Sequence, residues 1–358
     1  MTKSNAIIIT AGYFDTENGK TAHGLIRGTD RFNILAVIDS KNPGKDAGEL
    51  LDGKKRNIPI YDSIKNFKSQ SKEQAKYVII GVATKGGVLP PEFQLMLREA
   101  IENGYGVVNG LHDYVSDHAD LMELANKKGV EVIDVRKPKK FKELHFWSGD
   151  IKEVHCPKIA VLGTDCALGK RTTTRFLTQA MQAAGYKSEM IYTGQTGWMQ
   201  GAKYGFIFDS TLNDFISGEM EHAIVRCWEE VKPDIIFIEG QSSLRNPSGP
   251  AGAEWIVSAD ANAVVLQHHP VRKKYKGLEE YYANIAEVKD EIELIKMYGA
   301  PTVAVTVNTT KMKQADARAW AKEKEKELEI PIVLPLEDGV ERLVAIFKDM
   351  IDKSIAQV

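Results

Sequence analysis

Residues 158–174, Lys-Ile-Ala-Val-Leu-Gly-Thr-Asp-Cys-Ala-Leu-Gly-Lys-Arg-Thr-Thr-Thr, carry the strongest chemical signal in the chain. Gly163, Thr164, Asp165, Cys166, Ala167 and Gly169 belong to a tight loop, and Lys170, Arg171, Thr172 and Thr173 open the segment behind it. Glycine freedom lets backbone N–H groups point into such a loop. A helix N-terminus adds partial positive charge, and a lysine adds a full one. The chemistry this suits is the gripping of a phosphate or diphosphate. Two features depart from the usual phosphate loop, which has four residues between its glycines and a hydroxyl after its lysine to hold magnesium. Here five residues separate Gly163 from Gly169, and Arg171 follows the lysine, so the nearest hydroxyls are Thr172 and Thr173. Phosphate binding is therefore better supported than nucleotide hydrolysis.

Further stretches offer groups that could act beside that loop. Gln195 and Thr196 lie in the glycine-rich run 193–201. Glu239 follows four apolar residues and precedes Gly240, Gln241, Ser242, Ser243 and Arg245. A carboxylate closing a buried strand next to a phosphate loop is placed to be a magnesium partner or a general base. His268, His269 and Arg272 follow the next apolar run, and Asn308 the one after. Arg245 and Arg272 can each give a carboxylate two parallel hydrogen bonds, or equally form a surface ion pair. The imidazoles can meet a ligand or simply pack. No metal site is expected. The run of His112, Asp113, Asp117 and His118 lacks the spacing that sets two ligands on one helix face.

The elements that must position these groups read as two α/β halves. Apolar, β-branched runs at 6–10, 34–39, 77–82, 106–108 and 130–135 alternate with helix-like stretches such as 91–103 and 114–128. A second series of strands is expected at 159–162, 190–193, 234–238, 263–267, 302–307 and 332–334. Helices are expected over 172–184, 213–231, 281–298, 314–328 and 340–352. Such alternation predicts two doubly wound parallel sheets, which bind ligands beyond the carboxyl ends of their strands. The expected division is 1–140, a solvated connector over 141–157, and 158–358. In the first half Asp39 ends a strand where an acidic residue can hold a ribose. The Gly-x-Gly-x-x-Gly fingerprint is missing from the first turn, which argues against dinucleotide binding. Gly19-Lys20-Thr21 resembles a degenerate phosphate loop, or simply a helix start.

The chain of 358 residues is long enough for two cores. Its net charge of −2 leaves no electrostatic footprint for nucleic acid or an anionic membrane, so a small-molecule partner is expected. Residues 6–10 are too short for a signal-peptide core, and no run is long enough to span a bilayer. Cys156, Cys166 and Cys227 make neither a metal spacing nor a disulfide framework. A cytoplasmic protein is expected, and a homodimer from symmetry statistics.

The motifs of the second half resemble dethiobiotin synthetase, through Gly163-Thr-Asp with Gly169-Lys170, Gln195-Thr-Gly, and Glu239-Gly240 closing a strand. A closer resemblance covers nearly the whole chain. Lys20-Thr-Ala, Asn109-Gly-Leu-His, Asp134-Val-Arg-Lys-Pro, the phosphate loop and Ile238-Glu-Gly-Gln-Ser-Ser-Leu are similar to a family long described as a domain of unknown function. That family pairs a Rossmann-like N-terminal domain with a P-loop NTPase-like C-terminal domain, and members act as D-glutamate N-acetyltransferases (DgcN-like).

The resemblance implies acetyl-coenzyme A as donor, its diphosphate anchored by residues 163–173. Acetyl transfer needs a base and donors for an oxyanion. Glu239, Asp165 or His268 are the base candidates, and backbone amides near Gly240 or the hydroxyls of Ser242 and Ser243 the donors. For a dicarboxylate amino acid, Arg245 and Arg272 are the cationic clamps, joined by Lys20, with Gln195 and Thr196 as further substrate contacts. The competing expectation is a Mg-ATP-dependent kinase or ligase. There Lys170 serves the γ-phosphate, Thr172 and Glu239 hold magnesium, and Asn308 reads the base.

Overall fold

A computed structural model describes residues 2–281 and 284–356. The chain forms two compact units, one of residues 1–138 with 195–202, the other of 139–194 with 203–358. Both are α/β units built on parallel sheets.

The first unit holds β1 (Ser4–Ile9), β2 (Phe32–Ile38), β3 (Ile60–Tyr61), β4 (Tyr77–Ile80), β5 (Gly106–Asn109) and β6 (Val132–Asp134), in the order β3-β2-β1-β4-β5-β6. Every pairing is parallel. The chain starts mid-sheet, runs to one edge, then returns to build the other side, as in a Rossmann domain. Helix boundaries follow local chemistry. Pro91 opens Pro91–Glu102 at a position where no amide partner is needed. Gly129, at φ 65°, ends Ala119–Lys128 with a left-handed cap.

The second unit holds β7 (Lys158–Gly163), β8 (Ser188–Tyr192), β9 (Tyr204–Gly205), β10 (Ile235–Glu239), β11 (Ala263–His268), β12 (Thr302–Val307) and β13 (Ile332–Val333). Their order is β13-β12-β11-β7-β10-β8-β9, again all parallel. β7, β10 and β11 are buried along their whole length, which is why they read as unbroken apolar runs instead of alternating ones. β7 lies between β10 and β11, with Glu239 opposite Val161 and Gln267 opposite Gly163. That order brings Glu239 and the 267–268 corner to either side of the loop that leaves β7.

Strands β3 and β9, two residues each, have no counterpart in the sequence expectations because so short a run shows no period. The helix expected over 281–298 is observed as Val288–Met297, and residues 282–283 of that expectation lie outside the described residues. The expected connector is largely exposed, and it is also tied down. Buried Glu221 accepts from the amides of Ser148, Gly149 and Ile151, and buried Glu219 pairs with Lys139 and His145. Both glutamates sit on helix Ile216–Val231.

Residues 195–202 are built into the first unit, which a division of the chain at two points does not allow for. Gln200 Nε2 donates to the carbonyls of Gly24 (2.8 Å) and Gly28 (3.0 Å), and the Thr29 hydroxyl donates to Met199 O at 2.8 Å. Among the described residues no helix is long and apolar enough to cross a membrane.

Candidate functional site

The loop after β7 has the geometry of an anion cradle. Ala167 adopts φ 52° and Gly169 φ 105°, and helix Lys170–Ala183 begins at once behind them. Thr164 N donates to Gln267 O and Cys166 N to its neighbour's carboxylate, Asp165 Oδ1. The amides of Ala167, Gly169, Lys170 and Thr172 donate to no protein acceptor among the described residues. Amides left open at the start of a helix of this length are suited to phosphate oxygens. Gly163 is required here because a Cβ would meet Lys170 Cδ at 3.1 Å and Gln267 O at 3.2 Å.

Lys170 lies back over β7. Its Nζ donates to Asp165 O and Ser242 O, both at 2.7 Å, and burial pulls its pKa down to about 8. Ser242, at φ 41°, turns its carbonyl to this lysine, while the amides of Gln241 and Ser242 donate to no protein acceptor among the described residues. Gly240 fits because a Cβ there would sit 2.2 Å from Val161 O.

Glu239 closes β10 at this corner. It is 4 % exposed, and burial pushes its carboxyl up to about 7 against the opposing pull of Arg171, Lys170 and the amides of Thr193 and Gly194. Thr193 N donates to Oε2 at 3.1 Å. A carboxyl titrating near neutrality can accept a proton from an amine and return it to solvent.

Several groups expected to act on a ligand are engaged within the protein. Asp165 is fully buried, and its carboxylate accepts from Cys166 N, Asn246 Nδ2, Arg272 Nη1 and Lys276 N at 2.7–3.1 Å. With its oxygens so engaged it clamps the loop and is no base. Arg272 is the cation in that clamp, donating also to Cys166 O at 2.8 Å, and Arg245 is paired with buried Glu291 at 3.0 Å. The two arginines expected to hold substrate carboxylates are thus neutralised within the protein.

His268 bonds through Nδ1 to the Thr164 hydroxyl at 3.0 Å and stacks on Trp320. Burial drives its pKa down to about 3, too low for a useful base at neutral pH. His269 falls to about 4 for the same reason, and its buried Nδ1 has no hydrogen-bond partner among the described residues. The Thr173 hydroxyl donates to Gln267 Oε1 at 2.5 Å, which locks the first helical turn to β11. Asn308 donates to Leu168 O at 2.8 Å and supports the loop from below. Burial and Asp165 raise the Cys166 thiol, so it is a small loop residue and no nucleophile. Ser243 is buried, its hydroxyl without a partner among the described residues.

Three expected substrate residues belong to the first unit. Lys20 is the exposed first residue of helix Lys20–Arg27. Gln195 and Thr196 begin helix Gln195–Met199, where Gln195 lies against Gly110. The loop, Glu239 and the 241–242 turn are assembled without them. In the first unit Asp39, at the ribose position of a Rossmann sheet, gives its carboxylate to the Thr10 hydroxyl, the amides of Gly12, Phe14 and Lys41, and Asn42 Nδ2. It braces the first loop and has no acceptor left for a ribose. Thr193 and Gly194 open the 193–201 run expected to face the loop, and it is their amides that reach Glu239. Neighbouring parallel strands end level with one another, and β8 ends beside β10.

The comparisons with known proteins agree with this fold. Residues 145–344 match "Domain of unknown function (DUF1611_C) P-loop domain", and residues 40–138 match "Domain of unknown function (DUF1611_N) Rossmann-like domain". A crystal structure of a DUF1611 family protein from Anabaena variabilis superposes with a TM-score of 0.86 at 27 % identity, covering 97 % of this chain and 99 % of that one. A protein named D-glutamate N-acetyltransferase from a Pseudoalteromonas species is 30 % identical over 76 % of this chain and 81 % of its own length. A second of that name, from Tritonibacter scottomollicae, is 31 % identical over 75 % and 80 %. With both domain models matched in sequence order and the two-sheet architecture in place, the chain belongs to the DUF1611 family.

Proposed function

We propose that the protein is an N-acetyltransferase that moves the acetyl group of acetyl-coenzyme A to the amine of D-glutamate or a related amino acid. One observation carries the reading. A phosphate loop in which the amides of Ala167, Gly169, Lys170 and Thr172 donate to no protein acceptor among the described residues lies beside a buried carboxyl titrating at about 7, on the next strand of the sheet. Two relatives named for this activity, at 30 % and 31 % identity, support it.

Acetyl-coenzyme A supplies an activated thioester acyl group, with a diphosphate and a ribose phosphate by which it can be held. The amides of Ala167, Gly169, Lys170 and Thr172 and the Lys170 ammonium bind the diphosphate. Arg171, in place of the metal-holding hydroxyl, suits a further phosphate. Glu239 takes one proton from the substrate ammonium, and as the freed amine forms its C–N bond to the acyl carbon the C–S bond breaks, the departing thiolate taking the nitrogen's second proton to leave as free coenzyme A. The amides of Gln241 and Ser242 donate to the acyl oxygen as negative charge grows on it.

The Mg-ATP-dependent reading keeps one observation in its favour. The Thr172 hydroxyl, unlike that of Thr173, makes no hydrogen bond within the protein among the described residues. That leaves it and Glu239 as oxygen ligands. Mass spectrometry of D-glutamate incubated with enzyme and acetyl-coenzyme A decides between the two, alongside calorimetry with acetyl-coenzyme A and with Mg-ATP. N-acetylglutamate formed by the wild type and not by Lys170→Ala supports acetyl transfer. Binding of Mg-ATP alone, with no acetylated product, overturns it.

A further inference from the structure

An aromatic patch on the second unit faces solvent although the segment that presents it is firmly fixed. Phe141 and Phe146 are 70 % and 64 % exposed, and both rest on the buried ring of Phe215, at centroid distances of 5.4 and 4.4 Å. Leu212, 57 % exposed, accepts the amide of Phe215 on its carbonyl. On the other flank Trp147 donates to Ser258 O, next to exposed Val257.

The segment is not a loose loop. Besides its bonds to Glu219 and Glu221, it runs so close to helix Ile216–Val231 that a Cβ at Gly218 would lie 2.0 Å from His145 O. Two buried carboxylates and a glycine thus hold large apolar side chains in water, which costs stability unless something covers them.

We propose that this patch is a two-fold interface onto which a second copy of the chain docks, Phe141 and Phe146 at its centre. The area fits a self-association. The two phenylalanines leave on the order of 270 Å² of ring surface exposed. Leu212, Trp147 and Val257 bring the apolar core to roughly 500 Å², and a polar rim extends it towards the ~800 Å² per partner of a stable complex. The rim is self-complementary in charge. Exposed Lys140 and Lys142 flank Phe141, with exposed Glu143 at the end of that mainly basic strip, while exposed Asp214 stands beside Leu212 on the other strip of the patch. A two-fold axis through the aromatic centre sets the basic strip of each copy against the acidic strip of the other, the arrangement an isologous contact requires. Because the segment is fixed beforehand, docking loses little conformational entropy.

The test is the solution mass of the full chain by sedimentation or light scattering over a concentration series. The wild type is expected at twice the monomer mass, Phe141→Glu/Phe146→Glu at the monomer mass, and Met297→Glu, which alters an 84 % exposed side chain elsewhere, at the wild-type mass. Circular dichroism checks that the double variant folds. Should it not, hydrogen exchange of wild-type residues 139–147 and 212–216 replaces it, with protection expected to fall on dilution. A wild type monomeric throughout, a dimer that survives the double substitution, or exchange indifferent to dilution overturns the proposal. None of these outcomes depends on whether acetyl transfer is observed.

Discussion

Thr193 holds Glu239 from two sides. Its amide donates to the carboxylate Oε2 at 3.1 Å and its hydroxyl donates to the same residue's backbone carbonyl at 2.7 Å. That carbonyl also accepts the indole N–H of Trp255, and the Thr193 hydroxyl in turn accepts from Gln241 Nε2. A carboxyl that burial alone would carry far from neutrality is kept near it by the amides of Thr193 and Gly194 and the charges of Arg171 and Lys170.

The pH dependence follows from that balance. Below about 7 Glu239 is protonated and cannot accept from the amine, and above about 8 Lys170 loses the charge that grips phosphate. The kcat/KM profile for acetyl transfer is expected to be bell-shaped, with apparent limbs near those two values belonging to the coupled pair. Glu239→Gln should cost about 10²–10⁴-fold in kcat, abolish the acidic limb and leave acetyl-coenzyme A affinity nearly unchanged. A steady-state pH series with calorimetry checks all three.

Thr193→Val removes the hydroxyl but keeps the amide. Stability should fall by about 1 kcal/mol, the worth of a typical buried hydrogen bond. The acidic limb should move, because Gln241 and the Glu239 backbone lose their common anchor. Denaturant melts and the pH profile of the variant test this together.

Asp165→Ala should act on the fold of the loop. It leaves Arg272, Lys276 N and Asn246 without their acceptor, at a cost of about 3 kcal/mol for the broken buried pair. Unfolding in urea should show the loss, and acetyl-coenzyme A should bind more weakly. An unchanged midpoint would mean that Arg272 finds another partner.

Asp39→Ala should destabilise the first unit by about 2 kcal/mol, since buried donors around residues 10–14 lose their acceptor. Cofactor affinity should not change. A drop in acetyl-coenzyme A binding at constant foldedness would show that Asp39 contributes to the site after all.

Much of the architecture was legible in the sequence because a fully buried parallel strand has to be an apolar run, and β7, β10 and β11 are such runs. The phosphate loop was legible because its function is local. Glycines, a lysine and a helix start act within a dozen residues of one another, so their spacing is their geometry. Glu239 could be singled out because a carboxylate at the end of four buried apolar residues needs a reason to be there.

Which ionisable groups remain available was decided only by the tertiary structure. Asp165, Arg272, Arg245 and His268 had the right types at the right strand ends, yet each found its partner at a sequence distance no pattern reports: Asp165 with Arg272, Arg245 with Glu291, His268 with Thr164. The placement of 195–202 in the first unit is of the same kind. Sequence alone determines what a residue can donate or accept. Packing determines which of those capacities is already used, because a buried polar group must be satisfied by whichever neighbour the fold delivers.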